Sequence, residues 1–415
     1  RKLGINNQRN VEKYLCPETA WNAGKFWYDE SCKPGSRFAG LDIDKRIMPL
    51  TSPKPHVTDF PVNITTDPEC NSEPTPLSEI IEHPENLHNM YLIGEGGIGK
   101  TTALHSIMKD TYKNKVFVSR SNETFIIPLF IELSKAPASY CTTYKNKQST
   151  FIQRYLFALI SSLAENHLIF ESSYEMTAIM EMEADSIIKN IRHLLNSDNP
   201  NVKYLLLLDG LNEVSRRQLT DNKNNYIGTP VELIVDEIQE LLKYQNISIV
   251  ITSRADETLD ALDDQFDRSY LTGVSEPVIE EYLKNKIDFK AIKENKRLMD
   301  TLKIPLFLKF YSQLYSTSEV STPGEILYAF FSEHSTKYSM HNRIAEIVKD
   351  RRSSGNTHAV CISDQRMQWF ILDFLLPELG WYMEKNNLYT VDQTVIQEIG
   401  DTILKGTSET DICGK

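Results

Sequence analysis

The sequence predicts an α/β fold: a parallel β-sheet with helices on both faces, followed by a mostly helical region. Three observations carry this expectation. Between about residues 77 and 268, short and continuously apolar stretches alternate with amphipathic helical ones, the pattern of strands buried on both faces. One such strand, Asn89–Ile93, runs directly into a glycine-rich turn that opens a helix. From about residue 270 the texture turns helical, with Ile279, Tyr282, Leu283 and Ile287 forming one stripe.

The elements follow in order. Residues 1–50 mix aromatics (Tyr14, Trp21, Phe26, Trp27, Tyr28) with polar residues and read as a small packed extension. Residues 51–76 carry Pro53, Pro55, Pro61, Pro68, Pro74 and Pro76 and read as an extended connector. After Asn89–Ile93, a helix from Thr101 presents Leu104, Ile107 and Met108 on one face. Phe125–Leu133 is a second strand, in which Pro128 suits an edge or a bulge better than a central pairing. Residues 150–195 hold two helical stretches, and Tyr204–Leu208 is a fully apolar strand. Thr229-Pro230-Val231-Glu232 is a capping box with proline at the first helical position, and the helix behind it places Ile234, Ile238, Leu241 and Leu242 together. Ile247–Ile251 is a further β-branched strand.

Bulk properties exclude several classes. The 415 residues suffice for two or three domains, and 40% hydrophobic with 25% charged content is that of a globular protein. Lys and Arg total 45 against 57 Asp and Glu, and the net charge of −12 argues against a dedicated nucleic-acid surface. Cys16, Cys32, Cys70, Cys141, Cys361 and Cys413 are scattered without a CxxC pair, so a reducing, cytoplasmic setting is expected and a cysteine metal site is not. Apolar runs such as Trp369–Leu376 are too short to span a bilayer. The first residue is Arg1, so a piece of a longer protein is expected.

Three motifs carry chemistry. Gly94-Glu95-Gly96-Gly97-Ile98-Gly99-Lys100-Thr101 satisfies GxxxxGK[ST], with Thr102 continuing the helix. Its glycines let backbone N–H groups turn toward phosphate oxygens, and the helix N-terminus adds its positive end. Lys100 is placed to reach the β- and γ-phosphates, and the Thr101 hydroxyl to ligate magnesium. An accidental glycine turn is the bland alternative, but the order strand, loop, helix is the one the mechanism needs. The second motif is Leu205–Leu208 followed by Asp209-Gly210-Leu211-Asn212-Glu213. An acid at the tip of a buried strand is costly unless paired, so Asp209 is the second magnesium ligand, and Glu213 is placed to polarise a water. Alone, Asp209 would read equally well as a turn cap. The third is Ile249–Arg254, a strand ending in the hydroxyl pair Thr252 and Ser253 and an arginine whose planar fork suits phosphate.

Taken together, GEGGIGKTT, LLLLDGLNEV and IVITSR resemble the NACHT branch of the STAND signalling ATPases, with FIIPLFIEL like the family's second strand. LKIPLFL at 302–308 resembles the family's proline motif, and FILDFLLPELGWYM at 370–383 resembles the start of its winged-helix region. The resemblance spans about residues 76–390. It implies a P-loop NTPase domain at 77–268, a helical domain at 269–355 and the start of a truncated winged-helix domain at 356–415, after an N-terminal extension and linker at 1–76. It implies ATP or ADP with magnesium as cofactors. Lys100 and Thr101 would bind phosphate and metal, Asp209 metal, Glu213 would be the hydrolytic acid, Arg254 the reader of the γ-phosphate, and Pro305 would pack near the adenine. Many relatives carry an acid where Asn212 stands, which leaves hydrolysis to Glu213. No histidine matches the family's phosphate-touching position; His334, His341 and His358 read as solvated or structural.

The function so implied is a nucleotide switch with slow hydrolysis. Exchange of ADP for ATP would control self-oligomerisation between an upstream effector and a downstream sensor, in a setting of innate immunity or antiphage defence. An AAA+-like motor and a non-hydrolysing nucleotide-bound scaffold are the alternatives. Two smaller features have plain readings. Lys349–Asn356 is an exposed loop, and Trp369, Phe370, Phe374 and Trp381 are core aromatics rather than a base-stacking platform.

Overall fold

The structure is a computed structural model. It describes residues 62–66, 73–77, 89–113, 117–119, 122–136, 149–157, 183–195, 202–220, 225–255, 262, 264–284, 289–314, 320–334, 374–386, 391 and 393–406. The chain forms two compact units, Arg1–Thr272 and Gly273–Lys415. The first carries β1 (Asn63–Thr65), β2 (Thr75–Pro76), β3 (Met90–Ile93), α1 (Lys100–Lys113), β4 (Phe117–Ser119), β5 (Asn122–Glu132), α2 (Ala184–Leu195) and β6 (Val202–Asp209). It continues with β7 (Leu219–Thr220), β8 (Tyr226–Gly228), α3 (Pro230–Leu241), β9 (Ile247–Ser253) and β10 (Asp267–Leu271).

One sheet organises this unit, in the order β2-β1-β10-β3-β9-β6-β5-β4. The five strands from β10 to β5 are parallel, and β1, β2 and β4 flank them in antiparallel pairings. The apolar run of β6 explains its central place. Leu205 and Leu207 pack on one face with Leu104, Ile107 and Met108 of α1, while Leu206 and Leu208 pack on the other with Ile187 of α2 and Ile234 of α3. Each fully buried leucine of this kind contributes about 1.5–3 kcal/mol. β9 is buried along its whole length, as a strand covered on both faces must be.

Helix α3 starts where the sequence places it. Thr229 Oγ1 accepts from the Glu232 N–H at 3.3 Å, Glu232 Oε2 accepts from the Thr229 N–H at 2.7 Å, and Pro230 sits in the first turn. Pro128 also behaves as expected. Its residue pairs with Leu205 of β6, whereas β4 pairs only with Asn122–Thr124 on the other side of β5. Among the described residues, β5 is therefore an edge at Pro128.

The proline-rich stretch requires a correction. It is not only a connector: β1 and β2 come from it and extend the sheet, with Ile64 opposite Leu271 and the Leu77 N–H donating to Val62 O at 2.9 Å. Pro74 precedes β2, and Pro76 lies on it, the outermost strand, where a missing N–H costs little.

The second unit is helical where described: α4 (Glu276–Leu283), α5 (Phe289–Glu294), α6 (Lys296–Leu302), α7 (Pro305–Tyr311), α8 (Pro323–His334), α9 (Leu376–Lys385) and α10 (Gln393–Gly406). Ile279 and Leu283 of the expected stripe are buried, and Phe310 stacks on Phe330 with ring centroids 4.2 Å apart. Phe374 packs beside the buried Leu375, but Trp381 is 61% exposed with Lys385 Nζ over its ring, so it is not a core aromatic. Residues 1–61, Ile287, the six cysteines and residues 335–373, including His341, His358, Lys349–Asn356, Trp369 and Phe370, lie outside the described residues. Among the described residues no helix is long and apolar enough to cross a membrane.

Candidate nucleotide-binding site

The sheet order creates the site. β9 lies between β3 and β6, and the chain leaves β3 in one direction while β10, its other neighbour, is reached last. The order reverses at β3, and open α/β sheets bind ligands in the crevice beyond the strand ends at such a point. The functional side chains predicted from sequence sit on the loops leaving β3, β6 and β9 at that end.

Gly94–Gly99 form the turn between β3 and α1, and the Gly94 N–H donates to Ser253 O at 3.1 Å. Gly99 has φ of 104°, which an L side chain rarely tolerates, so the backbone turns there as the motif requires. Glu95, Gly96, Gly97 and Ile98 occupy the turn itself, and Thr102 lies in the first turn of α1. Lys100 Nζ folds over the loop, donating to Gly94 O at 2.8 Å and Glu95 O at 2.9 Å. Its pKa is lowered by burial first and by the neighbouring Arg254 second, with Asp209, Glu213 and Glu95 opposing.

Thr101 Oγ1 donates to Asp209 Oδ2 at 2.6 Å, joining residues 108 positions apart. The other carboxylate oxygen, Oδ1, accepts from Thr252 Oγ1 at 2.5 Å, and that hydroxyl accepts from the Gly210 N–H at 2.9 Å. Asp209 is thus held at both oxygens. Gly210 takes φ of 77°, and a Cβ there would lie 3.1 Å from the Glu213 carboxyl, so glycine both permits the turn and leaves room for the acid. Leu211–Glu213 form a short 3-10 turn that projects Glu213. Burial raises the Glu213 pKa; Asp209 raises it further, Lys100 and Arg254 oppose, and Glu132 adds to the rise. The Arg254 guanidinium lies over the loop: a Cβ on Gly96 would be 3.3 Å from its Nη2.

Lys100, Thr101, Asp209, Glu213 and Arg254 are therefore gathered at one place. Pro305 occupies the first turn of α7 and belongs to the second unit. Two features escaped sequence reasoning. Thr252 of the hydroxyl pair reaches Asp209; Ser253 points to the other face by strand alternation, and its buried Oγ has no hydrogen-bond partner among the described residues. Asn212 is 4% exposed and accepts from the Arg254 N–H at 3.2 Å through Oδ1, which gives it a structural role as an acceptor. Glu132, in register with Asp209 on the neighbouring strand, completes the acidic side. The sequence signal for these contacts is position: Glu132 and Thr252 lie at strand ends, and Asn212 in the turn just past β6.

The donor set fits magnesium and phosphate. Thr101 Oγ1 and Asp209 Oδ2 are hard oxygen ligands held 2.6 Å apart. Among the described residues no cluster of three or more His, Cys, Asp or Glu side chains forms a metal cage. Magnesium is held in that manner, by one or two side-chain oxygens with the rest from water and phosphate.

Strand order and site together define a P-loop NTPase fold, with the glycine loop on β3 and the acid on β6 flanking an intervening β9. Comparison with protein-family models and with curated proteins gives no match. Among solved structures, the chain is similar to the Aeropyrum pernix ORC1 protein in complex with DNA, at 13% identity over 81% of this chain and 82% of that one, TM-score 0.32. It is also similar to C. elegans PCH-2, at 13% identity over 74% of this chain and 66% of that one, just under two thirds, TM-score 0.28. A third is a chain of the E. coli MS115-1 HORMA:CdnC:Trip13 complex, at 9% identity over 72% and 84%, TM-score 0.30.

Proposed function

We propose that this chain binds ATP and ADP with magnesium and serves as a nucleotide switch of the NACHT/STAND kind, with slow hydrolysis. The observation that carries the reading is the Thr101–Asp209 hydrogen bond beneath Lys100, with Glu213 and Arg254 facing the same point. The backbone turn around Gly99 and the N-terminus of α1 receive the phosphates. Lys100 releases its loop carbonyls to meet the β- and γ-phosphates. Thr101 Oγ1 and Asp209 would hold magnesium, which when bound would supply charge neutralisation at the phosphates. Glu213 takes a proton from water aligned with the γ-phosphate, and Arg254 meets the γ-phosphate oxygens only when ATP is bound. That last contact gives ATP and ADP different affinities for the two states, which a switch requires. A place for Pro305 beside the adenine, an effector, a sensor and self-assembly on activation are what the family resemblance would add.

A second reading, a steadily cycling AAA+-like ATPase, is favoured by the intact hydrolytic acid Glu213 beside Asp209. The nucleotide content of the purified chain separates the two. Retained ADP in the native chain, lost in Lys100→Ala, supports the switch. An empty native chain that turns over added ATP rapidly overturns it in favour of the motor.

A further inference from the structure

We propose that Asn212 is a positioning residue for nucleotide discrimination: its buried amide oxygen, taking the Arg254 backbone N–H, fixes the sensing arginine to the turn that carries Glu213. The inference rests on the reading of Arg254 as the group that meets the γ-phosphate.

The β6–β9 ladder has its last pair at Leu208 and Ile251. Beyond it the two strands have no backbone pairing with one another, and the residues that matter, Asp209 to Glu213 on one side and Thr252 to Arg254 on the other, lie past that point. Two side-chain bonds continue the connection. Thr252 Oγ1 accepts the Gly210 N–H at 2.9 Å, and Asn212 Oδ1 accepts the Arg254 N–H at 3.2 Å. The second holds the base of the arginine itself. Asn212 is 4% exposed, so its amide is committed to this packing and has little access to water. An amide also accepts without adding a negative charge to a neighbourhood that already holds Asp209, Glu213 and Glu132. With this bond in place, the acid turn and the sensing strand end are one body, and a shift of either is felt by the other.

The test is a double-mutant cycle on the full chain. Binding of ATP and of ADP, each with magnesium, is measured calorimetrically for the native chain, Asn212→Ala, Arg254→Ala and the double variant, with thermal melts alongside. Loss of one such buried bond predicts that Asn212→Ala lowers the preference for ATP over ADP by on the order of tenfold, with ADP affinity unchanged. Acting through the arginine, Asn212→Ala adds nothing in the Arg254→Ala background. The proposal is overturned if Asn212→Ala keeps the native preference while Arg254→Ala loses it, or if the two losses multiply in the double variant. A silent Arg254→Ala removes the sensing role of the arginine and the proposal with it, and which single variant is silent tells the two failures apart. Should Asn212→Ala not fold, Asn212→Leu, which removes the acceptor while keeping the side-chain volume, takes its place in the cycle.

Discussion

The threonine at the end of β9 is the residue whose loss separates metal binding from nucleotide binding. Thr252→Val keeps the shape but leaves Asp209 Oδ1 without its donor and the Gly210 N–H without its acceptor. The magnesium concentration needed to support ATP binding is expected to rise about threefold to tenfold, as befits the loss of the one of these two bonds that reaches the carboxylate, while ATP binding in chelator is unchanged. A magnesium titration at fixed ATP with the native midpoint would reject this role. For Glu213→Gln, turnover is expected to fall on the order of 100-fold to 10,000-fold with ADP affinity retained. The base acts only when ionised, and its pKa is raised above the ordinary 4.5 by burial and by Asp209. Turnover by the native chain should therefore decline on acidification at a higher pH than an ordinary glutamate would give; a decline no earlier than that of an ordinary glutamate would rule out Glu213 as the base. Lys100, Thr101, Asp209, Glu213 and Arg254 were legible in the sequence because their spacing along the chain carries the mechanism. The acceptor role of Asn212 was not, since its bond spans 42 positions, nor was that of Asn89, whose Oδ1 takes the Ile249 N–H across 160.

Among the elements, α3 carries a pH-sensitive joint. Its Glu237 is fully buried and accepts from Ser149 Oγ at 2.5 Å and from the Gln153 N–H at 2.8 Å, at the start of the helical stretch 151–157. Burial pushes its pKa up from 4.5 to about 7, against the pull of these hydrogen bonds. An unfolded chain ionises this group first, so its contribution to stability is complete below about pH 4.5, declines as pH rises, and is gone above about pH 7. The decline amounts to on the order of 3 kcal/mol. Glu237→Gln should flatten denaturant-derived stability between pH 5 and 7, and a slope matching the native one would refute the assignment. The strands and helices themselves were readable from apolar runs and period. Their order in the sheet was not, because hydrophobicity says that a strand is buried and not beside which strand. β1 and β2 were hidden for another reason: prolines that normally mark a connector here stand at and beside an outer edge, where they are tolerated.

For the whole molecule, the switch reading makes a prediction about mass. With ATP and magnesium, and with Glu213→Gln to prevent hydrolysis, the chain is expected to form a larger species in light scattering than with ADP, and Arg254→Ala should abolish the difference. Equal masses in both nucleotides would remove nucleotide-driven assembly for this chain. The outer side of the sheet, where β1 joins the edge strand β2 to β10, has its own consequence at this scale. Thr272, the last residue of the first unit, donates its N–H to Asn63 O at 3.0 Å, and β1 runs antiparallel to β10 beside it. The points where the chain joins and leaves this edge are therefore adjacent, and a tension applied between residues 62 and 272 loads the β1–β10 bonds singly, from that end inward, as a zipper is opened. A pulling experiment on these two points should meet a weak first rupture that frees β1 and β2 while leaving the parallel strands and the glycine loop intact.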